Sequence, residues 1–233
     1  MVIRQRAIQA EDKQERHAAI LDAAERLLAR GPDRLASVAE VADEAGLAKG
    51  TVYLYFPSKE ELLLALHERA IDGFFRDVIA RVEDATPLAI DDMLALTRLH
   101  IVAAPLFLKL AARCFGMMAH GIPAEAAVAF KQRMAVRLTR AGAGIERHFR
   151  ELAPGDGVAL LRRSYALIMG LWMMSDAPGV TALCAGAEGA AVPALAVDPF
   201  PVELDRALRA LWQGTLSAVA RATAGATTGA PYP

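Results

Sequence analysis

Residues 37–56 read SVAEVADEAGLAKGTVYLYF, and the order of small, apolar and polar residues in this stretch decides the fold. Ser37 can accept a hydrogen bond from the N–H of Glu40 while Glu40 reaches back, a Ser-x-x-Glu box that opens a helix. Gly46 ends that helix, because the turn needs a left-handed backbone that glycine adopts without steric cost. Two helices crossing steeply over so tight a turn need a small residue where they touch, and Ala42 supplies it. Val41, Ala45, Leu47 and Val52 close a miniature core between them. The second helix, two turns long, is left with Lys49, Gly50, Thr51, Tyr53 and Tyr55 for a surface. This is the pattern of a helix-turn-helix whose second helix presents its N-terminal end to the major groove of DNA. The competing reading is an ordinary helical hairpin in a bundle. A packing helix of that length would not turn Lys49, Thr51, Tyr53 and Tyr55 outward beside a glycine.

Outward from this segment the chain reads as helix after helix. Residues 1–14 are polar and uneven and suggest a loose arm. From Arg16 the positions Ile20, Ala24, Leu27 and Leu28 follow helical spacing until Gly31-Pro32. Ser58-Lys59-Glu60-Glu61 is a second capping box, opening a long helix to about Glu83 with a buried stripe of Ile71, Phe74, Phe75, Val78 and Val82. Thr86-Pro87 opens the next helix, with proline where no N–H is needed. Pro105 and His120-Gly121-Ile122-Pro123 are breaks. Further helices are expected over about Ala124–Leu152, Gly157–Asp176 and Val202–Arg221, with a loop over 177–199. The fold class is therefore all-α. The expected division is an arm (1–14), a helix-turn-helix domain (15–58), a helical effector-binding and dimerisation domain (59–222) and a disordered tail (223–233).

Composition supports helices and narrows the function. Hydrophobic residues make up 55 % and aromatics only 6 %, with alanine and leucine throughout. The 26 basic residues are matched by 27 acidic ones, so nucleic-acid binding has to be argued from where charges sit and not from their sum. Cys114 and Cys184 have no zinc spacing and no secretory context, and the charged N-terminus is no signal peptide; a reduced, cytoplasmic chain is expected. The longest apolar stretch, about Tyr165–Met174, is too short to span a bilayer, so no membrane is expected. There is no phosphate-binding Gly-Lys-Ser/Thr loop, His-Glu-x-x-His, nucleophile elbow or di-iron carboxylate pattern, and neither an enzyme nor a cofactor or metal is expected.

The string Lys49-Gly50-Thr51-Val52-Tyr53-Leu54-Tyr55-Phe56-Pro57-Ser58-Lys59-Glu60, within the run Ser37–Leu63, closely resembles the DNA-binding domain of the TetR family of bacterial regulators. The resemblance covers roughly residues 15–65; beyond them only the general layout is similar. Ala36 departs from it, standing where relatives often carry Thr or Ser. Resemblance and local chemistry agree on roles. Lys49 and Lys59 are placed to neutralise phosphates, and Tyr53 and Tyr55 to hydrogen-bond them. Gly50 permits close approach, and Thr51 can meet a base edge or a thymine methyl. Backbone N–H groups at the helix starts marked by Ser37 and Ala48 add neutral phosphate donors. Residues 1–59 hold nine basic and nine acidic residues, so a single copy should bind weakly. A homodimer on an inverted-repeat, double-stranded DNA operator is expected, and the resemblance implies a repressor released by a small-molecule effector. The alternative is a helical dimeric adaptor, or an enzyme, that has lost specific DNA binding.

For the dimer, the segment Gly157–Asp176 is apolar on two sides and the last helix carries small residues beside its leucines, implying a four-helix interface that includes Leu160, Leu167, Leu171, Leu208, Leu211 and Thr215. The competing reading places both helices inside a monomer core. For the effector, Met93, His100, Phe107, Phe115, Met118, Phe130, Met134, Tyr165, Met169 and Trp172 are candidate pocket residues, with plain core (for His100, a satisfied or exposed histidine) the favoured reading. Residues 98–150 carry nine basic and two acidic residues. This is either a solvated face opposite acids elsewhere, the favoured reading, or a site for an anionic, amphipathic effector.

Overall fold

The computed structural model describes residues 2–32, 34–104, 106–117, 121–175 and 198–227. Among them all regular structure is helical. In chain order the helices are α1 (Val2–Arg30), α2 (Val38–Ala45), α3 (Lys49–Tyr55), α4 (Lys59–Glu83), α5 (Ile90–Thr97), α6 (Phe107–Met117), α7 (Ala124–His148), α8 (Asp156–Ser175) and α9 (Phe200–Thr227). A π-helical turn, Arg98–Val102, continues α5, with the Ala103 N–H donating to the Arg98 carbonyl at 2.8 Å.

The chain divides into two compact units, Met1–Asp72 with Pro105–Gln132 and Gly73–Ala104 with Arg133–Pro233. In the first, α2 packs on α1 and α3. Its core is Ile20, Ala24 and Leu28 of α1, Val38, Val41 and Ala42 of α2, Val52 of α3, Leu62, Leu63 and Leu66 of α4, and Phe107, Leu110 and Ala111 of α6. The expected loose arm is helix: no glycine or proline interrupts the chain before Gly31, so α1 propagates from Val2. Arg69 of α4 holds α1 through Asp22, at 2.6 Å, and through Glu25.

In the second unit, Phe74, Val78 and Val82 of α4 share a core with Leu94, Ile145, Leu160, Leu204 and Trp212. The indole N–H of Trp212 donates to the Ser164 hydroxyl at 3.0 Å, which gives the buried indole its partner. Arg98 forks onto Asp205 at 2.7 and 2.8 Å, tying the π-helical turn to α9, and Arg209 pairs with Asp91 of α5. His148 is fixed at the end of α7 by accepting from the Leu88 N–H at 3.3 Å and donating to the Val82 carbonyl at 3.1 Å.

Several boundaries move. Pro87 does not open a helix: the Pro87 carbonyl accepts from Arg81, and α5 begins three residues later, where Asp92 accepts from the Ala89 N–H at 2.8 Å. α7 ends at His148, short of Leu152, and α9 continues past the expected start of the tail to Thr227. The loop expected over 177–199 lies outside the described residues except for its last two positions.

Candidate nucleic-acid interface

The helix-turn-helix is built by short-range bonds. The Glu40 N–H donates to the Ser37 hydroxyl at 3.3 Å and the Ser37 N–H to the Glu40 carboxylate at 2.8 Å, completing the capping box. Gly46 turns the chain with φ 66°, which lets the Leu47 N–H reach the Ala42 carbonyl at 2.9 Å. Val52, fully buried, then anchors α3 in the core of its own unit, against α2. At Ser58 the second box is partial. The Ser58 hydroxyl accepts from the Glu61 N–H at 3.1 Å, but Glu61 meets that same hydroxyl at 3.3 Å and not a backbone N–H.

A helix anchored at one residue shows its other faces in order. Lys49, Gly50, Tyr53 and Leu54 are exposed; Thr51 and Tyr55 are half-buried on the flanks. Ser37, Ala48 and Lys59 are exposed as well. The Lys49 ammonium lies 5.8 Å from the centre of the Tyr53 ring, a cation–π contact that groups a positive charge with a phenol hydroxyl. On the inner flank the Tyr55 ring faces His17 at 6.5 Å, and His17 sits against Phe56 at 4.8 Å. Burial, then the neighbouring Arg69 charge, lowers the His17 pKa.

The even charge count of this region is resolved in space. Glu44 of α2 is held by Arg26, at 2.8 Å, and by Arg30; Glu40 is held by Arg34. These bonds lower both carboxyl pKa values, Glu40 to about 2, where the Arg34 bond comes first and the Ser37 N–H next. Glu40 and Glu44 of α2 are thus matched by arginines of α1 and its exit, while Lys49 stands exposed on α3 and Lys59 makes a long 3.8 Å pair with Glu60.

The remaining candidates scatter. Phe107 and Phe130 flank His67 of α4, at ring distances of 5.7 and 5.8 Å. Sequence reasoning missed His67, which is only 6 % exposed, with neither ring nitrogen bonded to a partner. Its i, i+3 and i, i+4 neighbours Leu63, Leu64 and Ile71 were the available signal. Burial pushes its pKa down to about 4. Phe115, 76 % exposed, lines no interior in this structure, and Met118 lies outside the described residues. Met93 and Met169 are buried in the second unit, with Met134, Tyr165 and Trp172 half-buried. His100 is engaged by Asp77 at 2.7 Å and packs on Gly73. Of the interface candidates, Leu160 and Leu208 are buried within the single chain. At 0 and 2 % exposed they belong to the chain's own core. Leu167, Leu171, Leu211 and Thr215 are half-buried. The basic excess of 98–150 is met in part by distant acids, Arg140 on Glu83 at 2.6 and 2.7 Å and Arg98 on Asp205, as the solvated-face reading requires. Among the described residues no group of three or more His, Cys, Asp or Glu could hold a metal, and no single helix is long and apolar enough to cross a membrane.

A capped helix, a left-handed glycine turn and a short outward helix carrying Lys49, Thr51 and Tyr53 define a helix-turn-helix DNA-binding protein. Two family models match, "Bacterial regulatory proteins, tetR family" over residues 20–66 and "Tetracyclin repressor-like, C-terminal domain" over residues 68–219. The chain belongs to the TetR family, and it is a transcriptional regulator, not an enzyme. It is similar to the fatty acid metabolism regulator protein of Bacillus subtilis, 35 % identical over 72 residues (31 % of this chain, 35 % of the relative). It is similar also to the transcriptional regulator EthR of Mycobacterium tuberculosis, 45 % identical over 58 residues (25 % and 27 %). A third relative is the uncharacterized regulator YfiR of Bacillus subtilis, 38 % identical over 66 residues (28 % and 32 %). These matches span about a third or less of each relative's length.

Proposed function

We propose that the protein is a repressor that binds an inverted-repeat operator as a homodimer through α3 and is released by a small-molecule effector. The observation that carries this reading is the outward face of α3, where Lys49, Gly50 and Tyr53 are exposed with Thr51 on the flank, while Glu40 and Glu44 of α2 are tied to arginines. Lys49, Lys59, Tyr53 and Tyr55 take phosphates, helped by the helix starts at Ser37 and Ala48, and Thr51 takes a base edge. One such helix is a weak binder, and two of them 34–36 Å apart, or a multiple of that, would read both half-sites.

Dimerisation falls to the outer faces of α8 and α9, where Leu167, Leu171, Leu211 and Thr215 continue into the exposed Met173 and Met174. α3 ends at Tyr55 and α4 begins at Lys59, so tilting α4 moves the reading head. An effector that favours one tilt changes operator affinity by its difference in binding free energy between the two states, and by no more.

The test is to select duplexes from a random DNA pool with the purified protein and then weigh the complex. A palindromic site carrying two chains, or four, supports the reading. Failure to enrich any sequence at low salt, with small molecules removed, would sink it and return the adaptor alternative.

A further inference from the structure

We propose that Leu54 is a specificity-determining residue of the DNA-reading helix, packing its side chain against the C5-methyl group of one thymine in each half-site. This rests on the operator-binding reading above.

The placement comes first. At about 100° per residue, Gly50 and Leu54 both lie roughly 160° from Val52, the buried anchor of α3. They are the two residues aimed most directly away from the protein. Lys49, Tyr53 and Thr51 lie to the sides, where the walls of a groove would stand. Leu54 is 83 % exposed, more than any other large apolar side chain among the described residues. One turn earlier Gly50 has open space where a Cβ would stand. The centre of the face is therefore a notch followed by an apolar tip.

Chemistry then names the contact. Base pairs show donors, acceptors and one apolar group in the major groove, the thymine methyl. A leucine can neither donate nor accept a hydrogen bond, so on this face it discriminates among base pairs only through that methyl. A protein surface is the other possible occupant. The position of Leu54 between Thr51 and Tyr53, on the helix that carries Lys49, places it inside the DNA footprint.

The experiment uses the full chain and the duplex it selects from a random pool. Each thymine is replaced in turn by uracil, which removes the methyl and leaves the hydrogen-bonding edge unchanged. Wild-type protein should lose about fourfold in affinity at one thymine per half-site and about fifteenfold when both are replaced, the value of a buried methyl-sized group. Leu54→Ala, at an exposed site where the thermal melt should not move, should bind the thymine and uracil duplexes equally. If no thymine is sensitive to uracil, or if Leu54→Ala keeps the same sensitivity, the inference is overturned while the operator-binding reading stands. If wild-type protein enriches no duplex, both fall.

Discussion

The backbone carbonyl of Gly142 in α7 occupies the space that a Cβ on Gly157 of α8 would need. The helices cross backbone on backbone there, and a Cβ on Gly142 would in turn stand 2.6 Å from a methyl of Val158. In an open helix, glycine to alanine stabilises by about 0.5–1 kcal/mol. Here the sign reverses. Gly157→Ala should cost about 1–3 kcal/mol, because rigid backbone and not a flexible side chain must give way. Gly170→Ala, on the same helix with nothing within 4 Å, should be neutral or stabilising. Urea unfolding of the two variants checks the contrast, and equal stabilities would contradict this crossing.

His67 lies in the first compact unit between Phe107 and Phe130 with both ring nitrogens unpartnered. A polar ring desolvated without hydrogen bonds costs about 1–3 kcal/mol, so His67→Phe should raise stability at pH 7. The pH dependence has a definite sign. Burial holds the folded-state pKa at about 4, below the ordinary histidine value of 6.5, so between these values the unfolded chain binds a proton that the folded chain does not. Wild-type stability should therefore fall as pH drops from 7 to 5, by an amount approaching 1.4 kcal/mol per pH unit once below 6.5. His17 shifts in the same direction, so the comparison with His67→Phe isolates His67. Unfolding curves at pH 7 and 5 that change in parallel for both proteins would show His67 charged or solvated in the native state.

Lys49 and Thr51 should fail in different ways. Lys49→Ala removes an exposed charge from the reading helix, weakening all duplexes alike and lowering the slope of log K against log salt by about 0.9. Thr51→Ala should leave the slope unchanged and alter which sequences are selected. A salt titration that gives Lys49→Ala the wild-type slope removes it from the list of phosphate ligands.

What could be read without coordinates was what is local. Ser37, Glu40, Ala42, Gly46 and Val52 act within fifteen residues of one another, and spacing alone dictates their bonds. The same holds for the helical start at Ser58. Residues whose role depends on a distant partner were opaque. α8 is apolar on two sides, and periodicity cannot say which side meets the chain's own α9 and which is left over. Leu160 went inside and Leu171 stayed half-buried, although both read alike. His100 was a lone histidine until Asp77, twenty-three residues earlier, came within 2.7 Å. Leu54 belongs with the surface residues of the second helix although the surface set Lys49, Gly50, Thr51, Tyr53 and Tyr55 omits it. Counting from Val52 places it on the far face, so its exposure was legible from position and hidden by residue class.

The small-residue row of α9 offers a test of the proposed dimer. Gly214 has nothing within 4 Å of where its Cβ would stand, and Ala210 and Ala218 on the same face are exposed. Such a row serves close helix approach, and among the described residues nothing stands within 4 Å of where a Gly214 Cβ would be. Gly214→Leu should therefore leave the fold intact, with a small gain from helix propensity, while pushing a partner's helix away. The expected result is a melt unchanged at concentrations where wild type is monomeric, dimer dissociation raised at least tenfold, and a matching loss of affinity for a palindromic duplex but not for a half-site. Sedimentation velocity over a concentration series reads the first two, and titration of the two duplexes the third. Unchanged association would move the interface off this face of α9, to the Met173 and Met174 end of α8.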